Sequence, residues 1–443
     1  MSIYTFIKGQ KKYIYQSEMA PAFYYVGRSK ENTHTSNLLH VIDKETMTVK
    51  KVITLPYTFR TVNMRMFFHP KTKRLLVTGC NVDMNISYIC IIDCISNIVI
   101  NQASISGYSF MMGDFYSSAG LGIVGMQNDD VIAGGTKYFL LANLNTNKIY
   151  KLTANNMPGY SASIQITADS SNKPALIYLA SASNSLPSDH KFYYAYINNI
   201  TADTTITFTA FCTINGYTTS AMSCMADDYV KSPKYSQLRT FRTSTASTVS
   251  AFTVVGVNTY KTVSINSTYI GNRPCGYLAS GGYYFPYGQT EAAKNGANFY
   301  YYNTLTNAGS TVAHGFGALN TNSFGISCGL HVDNSEASGT FDFFLYYGGA
   351  STSATTLRLI CTGNVVKSFT VPQFYATAWQ GLPTSDNKSI YYQNRVDNYV
   401  TNSGVIVGVS LANSSSNPVV TQYKIPQECV NLGTHSNFVV SWN

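Results

Sequence analysis

The residues whose type and spacing suggest chemistry are few, and they lie far apart in the chain. His331 and Asp333 are separated by one residue, so on a strand both side chains face the same way and offer two ligands to a metal ion. Residues 325–329 read Gly-Ile-Ser-Cys-Gly, a formal match to the G-x-S-x-G nucleophile motif, but no helix pattern follows as that motif requires. The acidic pairs at 129–130 and 227–228 fit solvated loops better than a Ca²⁺ site. We therefore predict no catalytic residue, no cofactor and no metal site.

The positive charge of the chain is concentrated at its start. Residues 1–75 hold 13 Lys and Arg against 4 Asp and Glu, and the remaining chain holds 17 of each sign. Two basic clusters stand out, namely Lys8, Lys11 and Lys12, and Lys71, Lys73 and Arg74. They are either solvated turn residues or a basic docking face, for which an acidic protein surface and DNA are the two candidate partners.

The overall composition is that of a folded chain with an unusually uncharged surface. Hydrophobic residues make up 45% of the chain, charged residues only 12%, and there are 35 tyrosines. The nine cysteines include no C-x-x-C pair, so we expect them to be reduced and buried. The start of the chain does not resemble a signal peptide, and no apolar run is long enough to cross a membrane. We therefore expect a protein made in a reducing compartment and not secreted.

One hairpin pattern recurs with a fixed period. The stretches LLHVIDKETMTVKKV, YICIIDCISNIVINQ and YFLLANLNTNKIYKL each hold an apolar strand that ends in Asp43, Asp93 or Asn143. A hydroxyl residue follows three positions later, and a β-branched residue three positions after that. The Asp or Asn side chain is expected to accept hydrogen bonds from turn amides, and the apolar run is expected to be buried on both faces. A period of 50 residues in an all-β chain indicates a β-propeller.

Weaker copies extend the pattern along the chain. The predicted hairpins lie near residues 38–55, 87–104, 137–152, 191–210, 250–266, 297–313, 355–371 and 404–425. Two further strand candidates separate successive hairpins, which makes four strands per unit. We predict an all-β fold, a single β-propeller domain over residues 1–443 with about eight, alternatively seven, four-stranded blades. The N- and C-terminal strands are expected to close the ring.

The first repeat, HVIDKETMTV at residues 40–49, resembles the YVTN/lactonase-like class of β-propellers, whose blades carry V-x-V-I-D-x-x-T-x-x-V. The resemblance covers residues 38–152. It implies a propeller fold, and it offers a lactonase-like or lyase-like enzyme with a site at the mouth of the central channel as one possible function.

Three functions fit the sequence. The composition, rich in Tyr, Asn, Ser, Thr and Gly and poor in charge, is similar to that of tailed-bacteriophage tail proteins. That similarity favours a non-enzymatic structural and binding propeller, a virion component that contacts other assembly proteins. The second hypothesis is a propeller that binds a carbohydrate or receptor through tyrosine-lined loops, with a glycan as partner. The third hypothesis is the propeller enzyme. The absence of a His, Glu or Asp that recurs at one position of the repeats argues against it.

Overall fold

A computed structural model gives the fold of the chain. It describes residues 19–27, 35–127, 135–157, 160–169, 171–181, 188–217, 222–224, 237–242, 248–255, 257–266, 276–278, 282–286, 298–303, 308–313, 325–326, 330–334, 339–347, 354–361, 365–374, 384–386, 389–395, 404–410, 419–429 and 437–442. Side chains are described mainly between residues 19 and 213 and again from residue 384 onward.

The chain folds into antiparallel sheets that follow one another in sequence. In these described residues there are eight sheets, six of four strands and two of five. Sheet 1 consists of β1 (Ala22–Val26), β2 (Thr35–Asp43), β3 (Val49–Arg60) and β34 (Asn437–Ser441). Sheet 2 consists of β4 (Arg65–His69), β5 (Arg74–Cys80), β6 (Ile86–Asp93) and β7 (Ile98–Ser106). Sheet 3 consists of β8 (Ser109–Tyr116), β9 (Leu121–Gln127), β10 (Gly135–Asn143), β11 (Lys148–Met157) and β15 (Thr204–Thr205).

The later sheets repeat the same arrangement. Sheet 4 consists of β12 (Tyr160–Ala168), β13 (Pro174–Ser181), β14 (Ser188–Tyr196) and β16 (Thr209–Tyr217). Sheet 5 consists of β17 (Met222–Cys224), β18 (Gln237–Arg242), β19 (Thr248–Val255) and β20 (Thr259–Asn266). Sheet 6 consists of β21 (Gly276–Leu278), β22 (Gly282–Pro286), β23 (Asn298–Asn303) and β24 (Ala308–Ala313). Sheet 7 consists of β25 (Gly325–Ile326), β26 (Leu330–Asn334), β27 (Gly339–Tyr347), β28 (Ala354–Cys361) and β29 (Val365–Phe374). Sheet 8 consists of β30 (Thr384–Ser385), β31 (Ser389–Arg395), β32 (Gly404–Ser410) and β33 (Val419–Lys424).

The helices that the structure describes are short 3-10 turns, at Thr61–Asn63, Ser117–Ala119 and Gln427–Cys429. Among the described residues, no helix has the length and apolar character that crossing a bilayer requires.

Two strands depart from a simple meander. β34 pairs antiparallel with β1, so sheet 1 contains the first and the last of the described strands. β34 also contacts β4 of sheet 2 and β30 of sheet 8, which are the strands at the corresponding edges of the two flanking sheets. β15 is a two-residue strand from the connection between β14 and β16, and it pairs in parallel with β11 of sheet 3.

The hydrophobic core lies between neighbouring sheets. Leu75, Leu76 and Val77 on β5 are all fully buried, although successive side chains of a strand face opposite ways. Leu75 and Val77 pack in the cluster shared with sheet 1, and Leu76 packs in the cluster shared with sheet 3. Both faces of the strand are therefore covered by neighbours, as the uninterrupted apolar runs predict.

The repeated hairpin turns have the predicted hydrogen bonds. Asp43 Oδ1 accepts the amide hydrogens of residues 45 and 46, both at 2.8 Å, and Asn143 Oδ1 does the same for residues 145 and 146, at 3.0 and 3.2 Å. Asp93 Oδ1 accepts the amide of Ile95 at 2.9 Å. The prediction that these anchors hold the turns is confirmed in all three copies.

A feature of the turns that the pattern did not predict is a left-handed residue four positions after each anchor. Met47, Asn97 and Asn147 have φ values of 53°, 53° and 58°. Asparagine tolerates this conformation because its short polar side chain can bond locally, whereas methionine is strained by it.

Candidate docking face

The connections between antiparallel strands determine at which end of a sheet the predicted basic residues lie. We count the strands of a sheet from one edge, which is β4 in sheet 2 and β8 in sheet 3. The turn that joins the first strand to the second then lies at the same end of the sheet as the turn that joins the third strand to the fourth. We call this the hairpin end; in the first three sheets it comprises turns 44–48, 70–73, 94–97, 117–120 and 144–147. The connections 81–85 and 107–108 lie at the opposite end, which we call the loop end.

Lys71, Lys73 and Arg74 all belong to the hairpin end of sheet 2, but they differ in what they contact. Lys71 is exposed. Lys73 donates its ammonium to the backbone carbonyl of Trp442 at 3.0 Å, and burial lowers the pKa of Lys73. Lys73 therefore joins sheet 2 to Trp442, the residue that follows β34, and its ammonium group is partly buried by this contact.

Arg74 contacts its own sheet on one side and sheet 3 on the other. Its Nη1 lies 3.0 Å from Asp93 Oδ1, in an ion pair whose side chains are each about one-fifth exposed. Its Nε donates to Asn147 Oδ1 of sheet 3 at 2.9 Å. Asn147 also accepts, through its backbone carbonyl, a hydrogen bond of 2.8 Å from Asn101 Nδ2. The guanidinium thus links the turns of sheets 2 and 3.

The same contact occurs one repeat earlier. Tyr24 on β1 donates its hydroxyl to Asn97 Oδ1 at 2.6 Å and lies 3.3 Å from the carbonyl oxygen of Cys94. Lys51 on β3 donates to the Ser96 carbonyl at 3.1 Å. The two donors Tyr24 and Arg74 are 50 residues apart, and so are the acceptors Asn97 and Asn147. We call this repeated contact the hairpin clasp: the left-handed asparagine of one sheet is held by side chains of the sheet before it.

A third tie joins the first and last sheets. Lys44 in the β2–β3 turn pairs with Asp386 Oδ2 at 2.6 Å, and the same oxygen accepts the Tyr391 hydroxyl at 2.6 Å. Asp386 Oδ1 accepts the Ser389 amide at 2.8 Å. Burial raises the pKa of Tyr391, and the nearby Asp386 carboxylate raises it further, so the phenol stays protonated as a donor.

Two further ionisable groups at this end, His69 and Asp43, are also structural. His69 is buried, its Nδ1 is 2.7 Å from Thr72 Oγ1, and burial lowers the pKa of the imidazole. Its ring lies against Gly120, whose backbone is left-handed with φ 62° and where an added Cβ would lie 3.1 Å from His69 Cε1. For Asp43, burial would raise the carboxyl pKa, but hydrogen bonds from Lys50 and two turn amides lower it to about 2. Both groups therefore make contacts that stabilise the fold.

The remaining candidates for chemistry are only partly described. Pairing of β26 with β27 places His331 opposite Asp342 and Asp333 opposite Thr340. Of the G-x-S-x-G match, Gly325 and Ile326 form β25, and 327–329 lie outside the described residues. The acidic pairs at 129–130 and 227–228 and the cluster Lys8, Lys11 and Lys12 also lie outside them. Within the part of the chain that is described, no three His, Cys, Asp or Glu side chains group as metal ligands.

Five cysteines whose side chains the structure describes are buried and form no disulfide, at positions 80, 90, 94, 212 and 429. Burial raises the thiol pKa of Cys80 and of Cys429 to about 12. These thiols are therefore protonated at neutral pH and poor nucleophiles.

Sequence reasoning missed the residues of the hairpin clasp. Asn97 and Asn147 were visible only as turn residues, and Tyr24 lay outside the aligned stretches. The acceptors Asn97 and Asn147 recur 50 residues apart, but the donors Tyr24 and Arg74 are of different types, so the sequence carries no signal that pairs them.

Comparison with known proteins identifies the fold. No protein-family model matches the chain, and a search of curated proteins found no match. Among solved structures, the chain is similar to the dihydro-heme d1 dehydrogenase NirN in complex with DHE, with TM-score 0.50 and 9% identity, over 95% of this chain and 76% of that one. It is also similar to the Dos1 propeller, with TM-score 0.49 and 13% identity, over 90% of this chain and 95% of that one. NirN is a β-propeller, and its likeness together with the succession of antiparallel sheets shows that this chain is an all-β propeller.

Proposed function

We propose that this chain is a non-enzymatic binding propeller, a structural component of a large assembly, and that the assembly is a bacteriophage tail. In this proposal the eight sheets are the blades of one ring, and β34 closes it by completing sheet 1. The virion is then its location, and its partners are other virion proteins.

The observation that carries the proposal is the use of charged and polar side chains at the hairpin end. Arg74, Lys73 and Lys44 each join one sheet to another, where a catalytic site would need side chains that face a substrate. A set of such ties favours a rigid platform over a hinged enzyme cleft. The composition supports the same reading, because a surface rich in Tyr, Ser and Asn gives large contact area with adaptable hydrogen bonds.

A second candidate function, recognition of a carbohydrate, is favoured by one feature of the loop end. Tyr108 is 58% exposed, and the amide of its neighbour Gly107 bonds to the carbonyl of Asn85. An exposed tyrosine offers a stacking face to a sugar ring, and the adjacent connection that contains Asn85 offers hydrogen-bond groups. This role is compatible with a place at the tip of a tail.

The test uses whole particles. Phage particles are purified on a density gradient from an infected host culture, and this chain is quantified in the particle band by mass spectrometry. We expect a fixed ratio to the other tail proteins, with an abundant host protein as the control for contamination. Absence of the chain from the particle band would contradict the proposal, as would turnover of a panel of lactones by the purified chain.

A further inference from the structure

Two isoleucines make the hairpin of sheet 2 different from its repeats. Ile95 is 55% exposed and Ile98 is 47% exposed. The equivalent positions are Glu45 and Thr48 in sheet 1, and Asn145 and Lys148 in sheet 3. Aliphatic side chains half exposed in a tight turn cost hydration free energy unless a partner covers them. The polar equivalents show that the turn itself does not need them.

Three lysines lie on elements next to this hairpin. Lys51 reaches the Ser96 carbonyl, next to Ile95, from sheet 1. Lys71 is exposed in the turn whose residue Lys73 accepts the Cys94 amide at 3.0 Å. Lys148 is exposed beside Asn147, which is joined to Asp93 through Arg74.

The acidic residues nearby do not cancel these three charges. Asp93 is paired with Arg74, and Asp43 is paired with Lys50. Glu45, at the tip of the sheet 1 hairpin, is the exposed acidic neighbour and leaves an excess of positive charge.

The clasp fixes the shape of this surface. Tyr24 and Lys51 hold residues 94, 96 and 97 against sheet 1, so the hairpin lies against its neighbour and does not project as a free finger. Insertion into a lipid bilayer would need apolar side chains to reach several ångströms beyond the surrounding surface. A surface held in place in this way, with an apolar centre and a charged rim, has the anatomy of a protein–protein interface.

We propose that Ile95, Ile98, Lys51, Lys71 and Lys148 form a docking surface for an acidic protein that presents apolar side chains between its carboxylates. The isoleucines form the desolvated centre, and the lysines steer and orient the acidic partner. This inference rests on the proposed binding function and names the face used and the chemistry of its partner.

The test compares synthetic acidic polypeptides as probes. Binding of the full chain to a glutamate–tyrosine copolymer and to polyglutamate of equal length is measured by fluorescence anisotropy. We expect tighter binding to the copolymer, and we expect Ile95→Ser with Ile98→Ser to weaken that binding about tenfold while leaving polyglutamate binding nearly unchanged. Lys71→Glu with Lys148→Glu should weaken binding to both polymers and flatten its salt dependence.

Matched controls lie at the loop end. Val82 and Met84 are 52% and 39% exposed, and replacing both with serine should leave binding unchanged. Urea midpoints equal to wild type show that the variants are folded. Equal binding of the two polymers, or no effect of the isoleucine variant, would overturn the proposal.

Two further probes separate other partners. Tighter binding to duplex DNA or to phosphatidylserine vesicles than to the copolymer, dependent on the lysines alone, would assign the surface to a polyanion instead. Presence of the wild-type chain in purified particles together with a null polypeptide result would remove this surface and leave the assembly role standing.

Discussion

At the scale of single residues, the buried and half-buried ionisable side chains described at the hairpin end serve the fold, whereas Lys71 and Lys148 are exposed. His69 shows why the sequence could not distinguish a structural role from a docking role. A single histidine next to a basic turn is compatible with both. The structure buries it against Phe115 and Thr72, where burial keeps the imidazole neutral. Lys73 and Arg74, which were predicted as members of a docking face, form hydrogen bonds to neighbouring sheets. Of the predicted cluster Lys71, Lys73 and Arg74, Lys71 is the exposed residue.

A pH dependence follows from His69. Burial lowers its pKa in the folded state, so when pH falls below about 6.5 the unfolded chain takes up a proton that the folded chain does not. The free energy of unfolding should therefore decrease between pH 7 and pH 5. His69→Gln should lower stability at pH 7 but flatten this decrease; His40, whose pKa burial also lowers, keeps part of it. Urea unfolding at several pH values measures both effects, and an unchanged slope in the variant would contradict the assignment.

At the scale of elements, the hairpins were the most predictable part of the molecule. An Asp or Asn at the end of a strand is visible in sequence because its bonds are to amides two and three residues away. The clasp partners are not visible, because they come from the preceding sheet, and a single tyrosine or arginine carries no periodic signal. β15 could not be predicted either, since a two-residue parallel strand from a connection has no alternating pattern. The propeller class, by contrast, followed from the recurrence of the hairpins.

Asn147 tests whether the left-handed turn or the clasp matters more. Asn147→Gly keeps the backbone conformation and removes the acceptor for Arg74, which should cost about 1 kcal/mol. Asn147→Ala also removes the acceptor, but it keeps a Cβ in the left-handed region without the polar side chain that lets asparagine tolerate it, and it should cost about 1 kcal/mol more than Asn147→Gly. Equal losses for the two variants in urea unfolding would show that backbone strain contributes nothing here.

At the scale of the whole molecule, stability depends on how sheets are joined across the core. The clusters of buried side chains bridge sheet 1 to sheet 2, sheet 2 to sheet 3, and sheet 3 to sheet 4. Sheet 1 combines the first three described strands with the last, and Lys44 joins it to sheet 8 through Asp386. Contacts of this kind join residues far apart in sequence, which is why no local pattern could specify them.

Two lysines of the same hairpin separate this long-range tie from a local one. Lys44 is 18% exposed and pairs with Asp386 of sheet 8, whereas Lys50 is 40% exposed and pairs with Asp43 of its own hairpin. Lys44→Met should lower the free energy of unfolding by about 2 kcal/mol, because it leaves a largely buried carboxylate without its cation. Lys50→Met should cost less than about 1 kcal/mol. Equal effects would argue against a special role for the contact between the first and last sheets.

A density map of the purified particle, with this chain located in it, is the decisive measurement for the assembly role and the docking face. We expect a ring whose hairpin end, with Ile95 and Ile98, packs against an acidic neighbour. A ring that contacts its neighbours only through the loop end would contradict the assigned face. A particle that lacks the chain altogether would contradict the assembly role itself.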